Sequence, residues 1–330
     1  MRSATMLAMS LIAAAATLAA AAARGDSKVD PKLPEYRPVQ GVSGAIKSVG
    51  SDTMNNLMTL WAEGFLAFYP NVQIEIEGKG SSTAPPALIA GTAQFGPMSR
   101  TMKAKEIEDF EKRYGYPPTE LRTGVDVLAV YVNKDNPIRG LTLQQVDAIF
   151  SSTRRGGHST DIRTWGDAGL EGAWATRPIS LYGRNAASGT YGFFKDHALF
   201  GGDFRDAVKE QPGSASVVQG VASELAGIGY SGIGYRTADV RAVPLARDAG
   251  SPFFDADAEN AYNGNYPLAR FLYVYVNAKP GEPLDPLRRE FIRYIFSRQG
   301  QEDVIRDGYY PVDATVAREM LKNLGIPTDF

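Results

Sequence analysis

Predicted β-strands and α-helices alternate along most of this 330-residue chain, and this alternation restricts the possible folds more than any other feature. Residues 44–50, 71–77 and 94–100 have the apolar patterns of strands, and amphipathic helical segments follow them. Such a pattern predicts an α/β architecture with mixed, mostly parallel sheets. In sheets of this kind, ligands bind beyond the carboxyl ends of the strands, where the following helices begin.

Three turns rich in Ser, Thr and Gly lie between a predicted strand and a predicted helix, at residues 51–53 (SDT), 78–83 (GKGSST) and 183–190 (GRNAASGT). The first N–H groups of a helix have no partner within the helix, Gly lets a ligand approach the backbone, and hydroxyls add donors. Arg184 adds a permanent cation four residues before Ser188. Together these features predict a site for a compact oxyanion. Helix capping and an ordinary flexible turn are the alternative interpretations.

The composition argues against several other functions. The chain is 44% apolar and 22% charged, which is typical of soluble globular proteins, and its length suits about two domains. A formal net charge of −2 gives no general attraction to nucleic acid, so an anion site must be built locally. The absence of Cys excludes disulfides and thiolate sites. His158 and His197 are the two histidines and are distant in sequence, which argues against a zinc site.

An enzyme is the competing class of protein. The chain contains no GxSxG nucleophile elbow. Glu75 and Glu77 could form a carboxylate pair, but charged strand faces are common in proteins. We therefore expect a binding protein without a cofactor or a metal ion.

The amino terminus has the pattern of an export signal. Arg2 is followed by an uncharged, Ala-rich stretch over residues 6–23, which ends in three alanines. A membrane anchor is the alternative, because about 18 apolar residues can just span a bilayer. We expect a cleaved signal peptide over residues 1–23 and then a Pro-rich leader over residues 24–42, which the prolines predict to be an extended linker.

Two long apolar runs, at residues 123–133 and 270–277, bracket the middle third of the chain. If these strands are the only links between two domains, residues 43–126 and 268–330 form one discontinuous lobe and residues 127–267 form the other. A single helix is predicted over residues 291–306, with Phe291, Ile295, Val304 and Ile305 facing inward.

Several motifs together resemble the PstS-type phosphate-binding proteins, the exported receptors of phosphate ABC transporters. The resemblance covers roughly residues 45–311 and is carried, in order, by GSDTM (50–54), GKGSSTAPPALIAGTAQFGPMSR (78–100), GRNAASGT (183–190), VVQGVAS (217–223), LYVYVN (272–277) and EFIRYIFS (290–297). It implies a two-lobed periplasmic-binding-protein type II fold whose sheets are joined by hinge strands. It also implies a monomeric periplasmic protein that closes on one inorganic phosphate and delivers it to a permease in the inner membrane.

The resemblance, carried over position by position, implies phosphate-binding roles for Ser51, Asp52, Thr53, Ser81, Ser82, Ser99, Arg100, Arg184, Ser188, Gly189 and Thr190. Some members have an aspartate at the position of Ser99, where it accepts the proton of phosphate, and an acidic residue often stands at the position of Ala186 and pairs with the arginine. We therefore expect Arg184 to be unpaired and Asp52 to accept the phosphate proton. A carboxylate acceptor would discriminate against fully ionised sulfate. A receptor for another oxyanion, a sensor or adhesion module with a decayed site, and a phosphate-ester hydrolase are the alternatives.

Overall fold

The structure, a computed structural model, describes residues 28–328 of the chain, so the predicted signal peptide and residues 24–27 lie outside the described residues. The strands are β1 (Ala45–Val49), β2 (Gln73–Glu77), β3 (Phe95–Met98), β4 (Thr119–Asn133), β5 (Leu141–Thr142), β6 (Ser180–Arg184), β7 (Lys209–Gln211), β8 (Gly227–Gly232), β9 (Val240–Ala242), β10 (Leu245–Ala246) and β11 (Ala269–Val276). The helices are α1 (Asn55–Leu66), α2 (Ala84–Ile89), α3 (Ala104–Tyr114), α4 (Leu143–Phe150), α5 (Gly189–His197), α6 (Ser214–Ser223), α7 (Ala258–Tyr262), α8 (Pro286–Ile295), α9 (Arg298–Arg306) and α10 (Ala314–Asn323).

Nine of these strands form one sheet in the order β2-β1-β3-β11-β4-β8-β6-β7, with β9 also paired to β4. Strand β1 is parallel to β2 and β3, and β6 is parallel to β7 and β8, so each group has its carboxyl ends at one edge. The long strand β4 lies between the two groups. The predicted α/β architecture with a mixed, mostly parallel sheet is confirmed.

Strand β4 changes partners along its length, and this change positions the site. Its residues 119–127 pair antiparallel with β11, which is itself antiparallel to β3. Its residues 128–132 pair antiparallel with β8. Strand β4 therefore runs parallel to β3 but antiparallel to β8, and the carboxyl edges of the two groups face each other near Asp126 and Leu128. The change lies beside the lobe boundary predicted from the sequence; the division into two lobes stays a prediction.

The prediction of a single helix over residues 291–306 is wrong. Helix α8 ends at Ile295 and α9 begins at Arg298, with Ser297 between them as the N-cap. The Ser297 hydroxyl accepts a hydrogen bond from the Gly300 amide at 3.2 Å and donates to the Tyr294 carbonyl at 2.6 Å. Short hydroxyl side chains that bond to the neighbouring backbone favour helix ends over helix interiors. Ile305, which was expected to face inward, is only half-buried.

The leader is not a linker over its described residues 28–42. These residues form no regular helix or strand, as the prolines predict, but Leu33 and Tyr36 are buried in the core. The Tyr36 hydroxyl donates to Glu290 at 3.2 Å, and the Arg298 amide donates to the Pro34 carbonyl at 2.8 Å. Proline restricts the backbone without preventing apolar side chains from packing, so this segment is part of the folded body.

Helix α1, one of the amphipathic segments expected to follow a strand, packs its apolar face into the core: Leu57, Met58, Trp61 and Phe65 are fully buried. The Trp61 indole donates to the Gly300 carbonyl at 2.8 Å, which joins α1 to α9. Among the described residues, none of the helices is long and apolar enough to cross a membrane.

A glycine in α1 tests how tightly this core is packed. A Cβ atom at Gly64 would lie 1.8 Å from the Tyr294 hydroxyl oxygen, whereas one at Gly192 in α5 would lie 3.5 Å from the nearest atom, in Arg100. Gly64→Ala is therefore expected to lower the free energy of unfolding by about 1–3 kcal/mol. The control Gly192→Ala should raise it by up to about 1 kcal/mol through helix propensity. Urea unfolding measures both variants, and equal effects would contradict the packing described.

Candidate functional site

The turn after β1 carries Ser51, Asp52 and Thr53 toward the facing edges of the sheet. Two tyrosine hydroxyls hold two of its carbonyls: the half-buried Tyr235 donates to the carbonyl of Asp52 at 2.9 Å, and the buried Tyr309 donates to that of Thr53 at 2.7 Å. Burial raises the pKa of both tyrosines above the usual value. The hydroxyls therefore stay protonated and keep donating, which fixes the path of the turn.

The turns after β2 and β3 place two serines side by side. Ser81 begins a short 3-10 turn after Gly80, and its hydroxyl accepts from the Ser99 amide at 3.0 Å. The two hydroxyl oxygens are 3.3 Å apart, and both residues are fully buried. Gly80 has a φ of +118°, and a Cβ atom there would lie 2.5 Å from the Ala187 carbonyl oxygen. Only glycine allows this turn to contact the turn after β6 so closely.

The turn after β6 opens α5 as the sequence predicts. The Ser188 hydroxyl is the N-cap and accepts from the amides of Thr190 at 3.1 Å and Tyr191 at 3.4 Å. Gly189 lies against the opposite turn, because a Cβ atom there would lie 2.2 Å from the Ser81 hydroxyl oxygen. The first turn of α5 thus faces the serines that follow β2 and β3.

Hydroxyl groups that follow strands of both parallel groups, β1–β3 and β6–β8, lie in direct contact at this point. The Thr190 hydroxyl oxygen lies 2.9 Å from that of Thr53 and 3.4 Å from that of Ser99. The Thr53 oxygen is also 3.5 Å from the hydroxyl of Ser214, the first residue of α6. We call Thr53, Ser81, Ser99, Thr190 and Ser214 the hydroxyl cluster; all five are buried. Ser214 was missed as a site residue in the sequence.

Arg184 lies beside the hydroxyl cluster, and the expectation that it is unpaired is wrong. Its side chain is 1% exposed, and its Nη1 lies 3.0 Å from Oδ2 of Asp52. The guanidinium also donates to the Ser214 hydroxyl at 2.6 Å and to the Pro212 carbonyl at 3.1 Å. Burial lowers the pKa of Arg184 and the charge of Asp52 opposes that shift, but a guanidinium remains protonated in proteins. The pairing acid comes from a different turn, not from position 186.

Asp52 joins the turn after β1 to helix α6, which follows a strand of the other parallel group. Besides pairing with Arg184, its Oδ2 accepts from the amide of Ser214 at 2.8 Å and from the hydroxyl of Ser214 at 2.9 Å. A carboxylate at the N-terminus of α6 satisfies a free N–H group and interacts favourably with the helix dipole. The predicted role of Asp52 as an acceptor of a phosphate proton stays a prediction.

A second buried ion pair was missed from the sequence. Arg270 donates through Nε at 3.0 Å and Nη2 at 2.8 Å to Oδ2 of Asp126, which is itself fully buried. The same guanidinium donates to the Ser99 carbonyl at 2.8 Å and to the Thr190 hydroxyl at 2.9 Å. The only signal in the sequence is that each residue is an isolated charge in a long apolar run.

Three of the predicted residues use their side chains elsewhere. The Arg100 guanidinium is bidentate to Glu106, at 2.8 and 2.7 Å. The Ser82 hydroxyl donates to the Ala187 carbonyl at 2.8 Å, and that of Ser188 caps α5. Ser51 is buried, and its amide donates to the Pro97 carbonyl at 2.8 Å. Direct roles of these residues toward a ligand stay predictions.

The arrangement suits a small tetrahedral oxyanion. Two helix N-termini, five buried hydroxyls and the buried guanidinium of Arg184 converge from the five turns that follow β1, β2, β3, β6 and β7. The Nε atom of Arg184 is buried and has no hydrogen-bond partner among the described residues, so the guanidinium has a donor to spare. Within residues 28–328, no group of three or more His, Asp and Glu side chains is placed to hold a metal ion.

Comparison with known proteins identifies the family of this chain. A family model described as the PBP superfamily domain matches residues 21–299. A phosphate-binding protein PstS from Pseudomonas aeruginosa is 56% identical over 321 residues, which cover 97% of this chain and 98% of the relative. A phosphate-binding protein PstS from Bacillus subtilis is 26% identical over 94% of this chain and 95% of the relative.

Solved structures show the same fold. One from Clostridium perfringens, described as a phosphate ABC transporter substrate-binding protein with bound phosphate, has a TM-score of 0.69 and 25% identity. It covers 82% of this chain and 100% of that chain. An ABC-type phosphate transport receptor from Vibrio cholerae has a TM-score of 0.62 at 20% identity, covers the same shares of the two chains, and supports the fold alone.

The pairing of Asp52 with Arg184 can be tested without a ligand. Asp52→Asn leaves a buried guanidinium without its charged partner, so the free energy of unfolding should fall by about 1.5–3 kcal/mol. The matched control is Glu77→Gln, because Glu77 pairs with Lys47 near the surface and exposed pairs contribute about 1 kcal/mol or less. Urea unfolding at neutral pH compares the two. A loss for Asp52→Asn no larger than that of the control would contradict the pairing.

Proposed function

Because the chain belongs to the PBP superfamily and, within it, to the PstS-type phosphate-binding proteins, we propose that it binds inorganic phosphate and delivers it to an ABC transporter. The observation that carries this proposal is the convergence of the hydroxyl cluster, the start of α5 and the buried Arg184 at one point. The function is binding without catalysis, as the names of the relatives indicate.

The binding residues proposed for phosphate come from both groups of parallel strands. Thr53, Ser81 and Ser99 supply hydroxyls from the β1, β2 and β3 side. From the β6 side, Gly189 supplies a helix amide and Thr190 supplies its hydroxyl, because the Thr190 amide already donates to Ser188. Arg184 supplies the charge through its unpartnered Nε. Asp52 is proposed to accept the proton of hydrogen phosphate besides pairing with Arg184. The remaining residues implied by the resemblance, which are Ser51, Ser82, Arg100 and Ser188, are proposed to support these groups in the positions reported above.

The expected affinity follows from a few strong hydrogen bonds. Bonds to a charged group contribute roughly 1.5–3 kcal/mol each. About half a dozen such bonds can give micromolar or tighter binding after the entropic costs of association. The net charge of the site contributes less to the attraction of the anion than these hydrogen bonds do, because Asp52 and Asp126 already neutralise Arg184 and Arg270. Oriented N–H and O–H donors therefore provide most of the attraction for the anion.

Closure between two lobes is the proposed mechanism of capture. One lobe consists of residues 43–126 and 268–330, and the other of residues 127–267. Strands β4 and β11 would act as the hinge, since β4 exchanges β11 for β8 as its partner at the boundary. Such domain closure around a ligand is a common conformational change. We further propose that the mature protein is a periplasmic monomer, exported through the sequence over residues 1–23, which meets the permease at the inner membrane.

Titration calorimetry with phosphate, sulfate, arsenate and molybdate tests the function. We expect phosphate to bind with at least micromolar affinity, and Arg184→Lys to weaken it roughly 10- to 100-fold. Lysine keeps the charge but loses the planar fork and the Nε donor. Arg247→Lys is the matched control, because Arg247 is exposed and bonds only to the Gly264 carbonyl among the contacts observed. If phosphate does not bind the wild-type protein, or if both variants lose affinity equally, the proposal fails.

Selectivity is tested separately with Asp52→Asn. If the Asp52 carboxylate accepts the proton of hydrogen phosphate, the amide should narrow the preference for phosphate over sulfate, because an amide can donate to a fully ionised oxygen. Competition between the two anions is measured by calorimetry. If sulfate still fails to compete in the variant, Asp52 is not the discriminating residue and acts through Arg184 and α6 alone.

A further inference from the structure

The buried Arg270 contacts three separate parts of the site through one guanidinium. Nε and Nη2 donate to Asp126 on β4, Nη1 donates to the carbonyl of Ser99 after β3, and Nη2 also donates to the Thr190 hydroxyl at the start of α5. Its side chain is 2% exposed. Arg270 therefore links the turn after β3 to the first turn of α5, which follow strands of the two different parallel groups.

This contact fixes the direction of the Thr190 hydroxyl. A guanidinium has only donors, whereas a hydroxyl has one hydrogen to donate and two lone pairs. Because Arg270 donates to Thr190 Oγ1 at 2.9 Å, this oxygen is the acceptor in that bond. Its own hydrogen must then point away from Arg270, toward the space shared with Thr53 and Ser99. An anion in that space would meet a hydroxyl that is already oriented as a donor.

The other contacts of Arg270 hold the guanidinium in place for this task. Oδ1 of Asp126 accepts from the Ile233 amide at 2.9 Å, so the carboxylate is fixed to the corner after β8. The ring of Phe193 in α5 lies 5.1 Å from the guanidinium carbon of Arg270. A planar cation that is bonded along its edges and stacked on one face has little freedom to rotate.

We propose that Arg270 is a positioning residue for the anion: it orients the Thr190 hydroxyl as a donor to the bound ligand and sets the distance between the turn after β3 and α5. This inference rests on the proposed binding of phosphate. Asp126 neutralises the charge of Arg270, so the contribution comes from hydrogen-bond geometry and not from an added positive charge. It acts through Thr190, and the two residues must therefore be coupled energetically.

A double-mutant cycle tests this coupling, with phosphate as the titrant in calorimetry. Thr190→Val removes the hydroxyl and is expected to weaken binding by roughly tenfold or more, as for other hydrogen bonds to charged groups. Arg270→Lys keeps the charge, loses the fork and should weaken binding by roughly tenfold. Because both changes remove the same oriented donor, the affinity of the double variant for phosphate should be about the same as that of the single variant with the lower affinity. Losses that multiply would overturn the proposal.

Two further variants separate positioning from a structural role. Thr190→Ser keeps the hydroxyl and should retain an affinity within about threefold of the wild type, since the same hydrogen bond is restored. Arg122→Lys is the matched control on β4: Arg122 pairs with Glu319 near the surface, and its loss should change the affinity by less than about twofold. An equal loss in this control would indicate a general effect of changing arginines beside β11 and would also overturn the proposal.

The remaining outcomes are also decisive. If Arg270→Lys fails to fold, the neutral pair Asp126→Asn with Arg270→Gln replaces it in the cycle, because it leaves no uncompensated buried charge. The same lack of additivity with Thr190→Val is then expected. If the wild-type protein does not bind phosphate, the proposed function fails and this inference fails with it. If the wild type binds and the cycle is additive, only the inference fails.

Discussion

The ion pair between Arg184 and Asp52 is the interaction on which the arrangement of the site depends. A guanidinium that is 1% exposed needs a charged or strongly polar partner, because an isolated buried charge is severely destabilising. Its partner, Asp52, lies in the turn after β1, which belongs to the other group of parallel strands. The pair therefore brings the first turn, the end of β6 and the start of α6 to one place, and the hydroxyl cluster forms around it.

The charges at the site are balanced before any anion arrives. Arg184 is paired with Asp52 and Arg270 with Asp126. A site that attracted anions through excess positive charge would bind many of them with little regard to shape. A neutral site with oriented N–H and O–H groups requires the ligand to match the positions of the donors, which favours one size and geometry. The formal net charge of −2 gives the chain no general positive field that would attract anions to the site.

Much of the framework could be predicted from the sequence, since it is encoded locally. Hydrophobic periodicity located β1, the helix that follows it and β4, and the turn over residues 183–190 located the start of α5, because each depends on neighbouring residues. The missed features all depend on contacts between distant segments. Nothing near Arg184 indicates that Asp52 would pair with it, and nothing near Ser214 indicates that its amide would donate to the same carboxylate. An isolated Asp126 in an apolar strand signals a buried charge but does not name Arg270 as its partner.

The opposed directions of the two strand groups explain why the donors of the site come from distant segments. In a sheet with a single carboxyl edge, helix starts lie in a row and a ligand is bound from one side. Here β4 pairs with β11 up to Val127 and with β8 from Leu128, so two carboxyl edges face each other across the middle of one strand. Turns from both edges then bring their hydroxyl groups to the same small volume, together with the N-termini of α5 and α6. Gly80 and Gly189 allow the opposing turns to touch, because a side chain at either position would overlap the other turn. The contacts that join the opposing turns therefore also fix the distances between the hydroxyl groups of the two edges.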